Sequence, residues 1–185
     1  MATGFKSTRK GISASLDAGE RELLRSLFAD VLNMLEPETP ADADPLAAMV
    51  GLDTSARVPD DSALRRLLPD GVHGDDDEAL EFRRLTERSL RENKTAALRA
   101  ASVLLESKQL LLNADQAQYF ARALNDVRLV LADRLGLETD EDTERLHGIT
   151  DPSQARDVDG YLALVYNFIT WLQETLMQAM IRSLL

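Results

Sequence analysis

The sequence predicts an all-α fold, a compact bundle of four main helices, with short extra helices in a long acidic connection and room for a short N-terminal strand. Three observations predict it. Four stretches carry apolar side chains at steps of three and four, the period of one helix face. Two of them are preceded by capping-box pairs, Asp17 with Glu20 and Asn113 with Gln116, at the spacing that satisfies free backbone N–H groups. Proline and glycine cluster between the stretches rather than inside them. With 185 residues, 44% hydrophobic and 29% charged, the chain is long and apolar enough for one domain with a real core.

Residues 1–12 are small, polar and basic and read as a flexible tail, with residues 13–185 as the helical domain. Gly11 to Leu16 alternates and suits a short strand. The first helix follows Asp17, with Leu23, Leu24, Leu27, Phe28, Val31, Leu32 and Leu35 on one face, and Pro37 and Pro40 stop it. Residues 37–78 read as an irregular acidic insertion, broken by five prolines and three glycines. Two short helices or turns fit in it, at Leu46–Leu52 and Leu64–Leu68. The second main helix starts near Asp76 or Asp77, where Asp75, Asp76, Asp77 and Glu78 face the positive end of the helix dipole. It runs to about Leu112, with a break near Glu92-Asn93. Its expected buried stripe is Phe82, Leu85, Ser89, Ala96, Ala100, Val103 and Leu104. The third helix opens at Asn113, buries Phe120, Ala123, Leu124, Val127 and Leu131, and ends at Gly136, where a left-handed residue costs glycine nothing. The last starts between Asp151-Pro152 and Asp159. It carries Tyr161, Leu162, Val165, Phe168, Ile169, Leu172, Leu176 and Met180, apolar over most of its circumference as far as Trp171. Such a helix is central in a bundle or lies in a subunit interface.

Composition excludes several chemistries. There is no cysteine, so disulfides, thiolate catalysis and Cys-based zinc sites are ruled out. No phosphate-binding glycine loop, nucleophile elbow or HExxH is present. The carboxylates at 75–78 lack the alternating ligands and closing Glu of a calcium loop. His73, beside Asp70 and Asp75, reads as a hydrated loop residue. His147 reads as the end of a helical turn. Glu141 and Glu144 have no surroundings that would tune a proton-transfer pair. The expectation is therefore no enzyme, no metal and no cofactor. No apolar run is long enough for a membrane span or follows the basic N-terminus as a leader, which makes the cytoplasm the expected compartment.

The net charge of −11 opposes general nucleic-acid binding. It is unevenly spread. Residues 36–78 hold 12 acidic and 3 basic residues, residues 138–159 hold 8 and 2, and residues 83–108 reverse the sign with 7 basic and 3 acidic. Arg84, Arg88 and Arg91 share one helix face, with Arg83 beside it. Three readings of these arginines stand open: a solvated, salt-bridged face, a docking stripe for an acidic partner surface, or docking onto the chain's own acidic loops. Asn125, Asp126 and Arg128 flank the buried Leu124 and Val127 and read as a polar network bridging helices. Phe168, Trp171 and Leu172 are the candidate dimer surface.

Three blocks taken together carry a resemblance. They are Phe82-Arg83-Arg84-Leu85-Thr86-Glu87, then Leu124-Asn125-Asp126-Val127-Arg128-Leu129 with Arg134-Leu135-Gly136, and the closing helix from Tyr161 through Trp171-Leu172-Gln173-Glu174. Together they resemble the actinobacterial oxidative-stress transcriptional regulator family (AosR-like), formerly described only as a domain of unknown function. The likeness runs from the Leu23-Leu24 helix to the C-terminus. It implies an intracellular helical protein that modulates transcription by contacting a sigma factor or RNA polymerase. The redox sensing attributed to that family needs thiols, and this chain has none, so it cannot sense directly through cysteine. The alternatives are a direct DNA-binding regulator, using the basic N-terminal arm and the arginines from 83 to 99, and a helical adaptor that forms a homodimer through its last helix.

Overall fold

The apolar-periodic stretches fold as helices and the N-terminus folds as a hairpin. In a computed structural model the described residues are 3–36, 57–139, 141–142, 146 and 157–184. Among them the order is β1 (Thr3–Thr8), β2 (Gly11–Ser15), α1 (Ala18–Leu35), α2 (Ser62–Leu67), α3 (Asp76–Leu104), β3 (Gln109–Leu112), α4 (Ala114–Arg134) and α5 (Val158–Ser183). The described chain is mostly helical rather than all-α, because three short antiparallel strands pair in the order β1-β2-β3.

Two expectations are corrected by that sheet. Residues 3–8 are not a flexible tail. They pair with β2, Lys6 opposite Ser13 and Ser7 opposite Ile12, and bury Phe5. The Phe5 N–H donates to Thr175 Oγ1 of α5 at 3.2 Å, tying the N-terminal strand to the last helix. Nor does the second main helix reach Leu112. α3 ends at Leu104, and Gln109–Leu112 leaves it as a strand that buries Leu110 and Leu112 and exposes Leu111. That alternation is a strand's period, and a short apolar run does not reveal it when read beside a helix. Gly11 makes the hairpin turn with φ +131, and a Cβ there would stand 2.6 Å from the Leu112 carbonyl oxygen.

The helix ends follow their sequence signals. Asp17 and Glu20 exchange both capping-box bonds, at 2.8 and 3.0 Å, and Asn113 and Gln116 do the same at 3.0 and 2.9 Å. α1 stops at Leu35 because Glu36, the residue before Pro37, is held extended at ψ 129. Gly136, at φ +64, ends α4 with the paired bonds Leu137 N–H to Ala132 O and Gly136 N–H to Asp133 O, both 2.9 Å. α5 starts at Val158, with the Asp157 carboxylate accepting from Gly160 N–H. Of the two short helices expected in the insertion, Leu64–Leu68 corresponds to α2, and Leu46–Leu52 lies outside the described residues.

One core joins these elements. Leu24, Phe28, Val31 and Leu35 of α1 meet Phe120, Leu124 and Leu131 of α4 and Ile169, Leu172 and Leu176 of α5. Phe120 takes Phe5 and Phe28 edge-on, at 5.6 and 6.0 Å between ring centres. α5 is buried on more than one side because it packs on both α4 and β1. This is the central position that its broad apolar circumference predicts. Leu172 is fully buried in this core, which corrects its assignment to a dimer surface. Phe168 packs partly buried against the same core, and Trp171, stacked on Phe168 at 6.2 Å, is the most exposed of the three.

The stripe that α3 buries is also corrected. Phe82, Leu85 and Val103 are exposed, while Arg83, Ala97, Leu98 and Ala101 are buried. The helix is continuous through Glu92-Asn93, with no break. The apolar count favours the wrong register because the buried position in the first half is an arginine.

Candidate functional site

Two charged clusters sit on α3, about three helical turns apart. The first is built on Arg83, whose side chain is only 4% exposed. It donates to the Leu68 carbonyl at 3.0 Å, to Asp70 at 2.7 Å and to Glu87 at 2.6 Å. Burial by itself disfavours the guanidinium's charge, but the Asp70 and Glu87 carboxylates outweigh it and hold its pKa above the ordinary value. Glu87 also takes Arg91, which reaches on to the Leu35 carbonyl at the end of α1. The row thus ties the loop before α3, α3 itself and α1 together. Packing adds to it, because the Phe82 ring lies where a Cβ on Gly71 would be. Of the four arginines singled out as a docking stripe, Arg83 and Arg91 point inward, and Arg83 docks on the chain's own acidic loop. Arg84 pairs with Glu81 and Arg88 with Glu92 on the exposed face.

The second cluster is Asp126 with Lys94. Asp126 lies on α4 at 2% exposure, and Lys94 of α3 donates to it at 2.5 Å. Loss of hydration raises the Asp126 carboxyl above the ordinary carboxylate range, with Lys94 opposing the shift. Asn125, on the next position of α4, accepts at 3.5 Å from both Arg128 and Gln173 of α5. The three residues expected to form a polar network, Asn125, Asp126 and Arg128, therefore lie within a bridge from α3 through α4 to α5. Two members were not foreseen. Lys94 was readable in principle, since it falls one turn from Leu90 and from Ala97-Leu98, and a lone lysine on a buried stripe needs a carboxylate. Gln173 had no sequence signal beyond its place on an apolar helix.

This bridge opens to solvent. α4 packs against both α3 and α5, and over it lies a groove of 420 Å³ with Leu90, Lys94 and Ala97 on one wall, Ala121, Arg122 and Asn125 on the floor, and Gln173 and Met177 on the other wall. The Oε1 of Gln173 is buried with no hydrogen-bond partner among the described residues. Arg122 is exposed and takes part in no ion pair among the described residues.

A third group fixes α2. Asp61 caps α2 through Ala63 and Leu64 N–H and pairs with Arg134 at 2.6 Å, while Arg66 pairs with Asp133 at 3.0 Å. The Arg134 bond holds the Asp61 carboxyl below its ordinary value.

His73 is exposed, His147 and Glu144 lie outside the described residues, and among the described residues no three His, Cys, Asp or Glu side chains are grouped to hold a metal ion. No helix among them is long and apolar enough to cross a membrane. Residues 2–180 match the family described as Domain of unknown function (DUF2017), and the chain belongs to that family. Neither a curated protein nor a solved structure matches it.

Proposed function

We propose that this DUF2017 chain is a non-enzymatic, cytoplasmic transcription regulator that acts by protein contact, with a sigma factor or RNA polymerase as its partner. The observation that supports contact rather than chemistry is the open groove over α4. It is open to solvent, with Arg122 exposed at its floor, rather than the closed, water-excluding pocket that suits a proton-transfer site. The transcriptional role rests on the resemblance of the arginine block, the Leu124–Leu129 block and the last helix. Oxidative stress, on this reading, reaches the chain through its partner, because a chain without cysteine has no thiol to oxidise.

Direct binding to purified RNA polymerase, as core enzyme and with sigma factors added singly, tests the proposal. Saturable binding to one of these species is expected, and a flat response to all of them at micromolar chain sinks the transcriptional half. The DNA-binding alternative draws support from the exposed Lys6, Arg9 and Lys10 of the hairpin. The net charge of −11 and the internal pairing of Arg83 and Arg91 weigh against it. A mobility shift at low salt decides it. The homodimer reading keeps Trp171 as its exposed residue and is tested by light scattering.

A further inference from the structure

We propose that the groove over α4 receives one amphipathic helix of a partner protein, seated with an acidic side chain against Arg122 and Lys94. This rests on the protein-contact reading and names the contact face and the chemistry of the occupant. Charge is the first observation. In a chain of net −11, Arg122 stands exposed at the groove without an ion pair among the described residues. Lys94 beside it has three N–H donors, of which Asp126 takes one. Among the described residues that line the groove the one carboxylate, Asp126, is already paired, so this lining presents excess positive charge. The second observation is shape. Ala121 keeps the floor low between walls formed by Leu90 and Met177, and Ala97 adds little bulk to its wall. A helix can come close over such small residues and bury apolar side chains on both walls.

The test uses the full chain, isotope-labelled, titrated with a synthetic amphipathic peptide of about four helical turns. The peptide carries leucine on one face and a single central glutamate, and a second peptide has lysine there instead. Expected are amide shifts confined to residues 90–97, 118–126 and 170–177, and binding of the glutamate peptide about tenfold tighter than the lysine one. Arg122→Glu, an exposed change, should reverse that preference, and Ala121→Arg should fill the floor and abolish both. Circular dichroism confirms that each variant is folded. Equal affinity for the two peptides, shifts centred elsewhere, or no shift at millimolar peptide overturns the proposal. Self-association that Ala121→Arg abolishes also overturns it, by giving the groove to a second copy. The arms separate the two readings. Polymerase binding that Arg122→Glu and Ala121→Arg leave unchanged removes the groove but keeps the regulator. Charge-selective peptide binding by a chain that ignores polymerase does the reverse.

Discussion

Both ion clusters of α3 join a cation to carboxylate, and they come out differently. Around Arg83 the buried group is the cation, and two carboxylates and a carbonyl surround it. Around Lys94 the buried group is the carboxylate, with one cation and an open groove beside it. A guanidinium has a fixed fork of five donors, so it can hold a loop, its own helix and a neighbouring helix end at once. An ammonium is a point charge that leaves donors over. The first cluster therefore spends its terminal donors within the chain and keeps only a buried Nε without a partner among the described residues, whereas the second retains capacity beside an open groove. That contrast, rather than the number of arginines, locates the candidate contact face.

The comparison breaks most visibly at Arg83. Arg83→Met leaves Asp70 and the Leu68 carbonyl without this donor, leaves Glu87 with Arg91 alone, and releases the loop before α3. Removing one partner of a buried, hydrogen-bonded ion set costs about 3–5 kcal/mol, read as a lower urea midpoint. Arg83→Lys should recover only part, since one ammonium cannot span three acceptors. If Arg83→Met proves as stable as the parent, Arg83 is not the clamp described.

Lys94→Met comes next. It strands the buried Asp126 carboxylate, at a cost of about 3 kcal/mol near neutral pH. The pH dependence sharpens the contrast with Arg83. The folded chain holds the Asp126 proton more tightly than the unfolded chain does. Stability from this group therefore falls as pH rises from the ordinary carboxylate range through the raised folded-state value. Lys94→Met should deepen that fall, so that the variant recovers on acidification, and Lys94→Met with Asp126→Leu should flatten it. A variant whose deficit is the same at every pH would show that Asp126 is not the group left unpaired.

The two clusters also mark what the sequence could disclose. Caps and helix stops were legible, because Asp17, Asn113, Gly136 and the residue before Pro37 act through bonds to their immediate neighbours. The polar network at Asn125, Asp126 and Arg128 was legible as polar groups beside an apolar face. Its pairings were not, because Lys94 and Gln173 lie 32 and 48 residues away from the groups they bond. The stripe of α3 was misread for a related reason. Apolar periodicity treats arginine as surface, and Arg83 is interior only because Asp70 and Glu87 neutralise it. The sheet escaped notice at both ends, since β1 is polar on its outer face and β3 is four residues that alternate beside a long helix.

Asp61 tests a smaller effect. Asp61→Ala removes a cap bond and the pair to Arg134, an expected loss of about 1 kcal/mol, seen first as faster hydrogen exchange in α2. Its pH dependence runs opposite to that of Asp126. Arg134 holds the Asp61 carboxyl below its ordinary value of 3.8, so the contribution is complete above that range and is lost as pH falls through the lower folded-state value. Acid should therefore loosen α2 while easing the strain of burying Asp126. A protection factor in α2, corrected for intrinsic exchange, that ignores pH across that window would detach Asp61 from its role.

The smallest effect carries the most about function. Arg84 and Arg88 pair with Glu81 and Glu92 on the exposed face, with side chains 40% and 58% exposed. Exposed pairs contribute little, so Arg84→Ala and Arg88→Ala should each change stability by about 0.5 kcal/mol or less. Because folding is untouched, any change in partner binding reports contact alone. If the contact lies in the groove over α4, both variants bind as the parent does and Arg122→Glu does not. If Arg84→Ala or Arg88→Ala weakens binding as much as Arg122→Glu, the contact extends along the exposed face of α3. The arginine block would then serve two purposes in successive residues, Arg83 inward as a clamp and Arg84 outward as a contact.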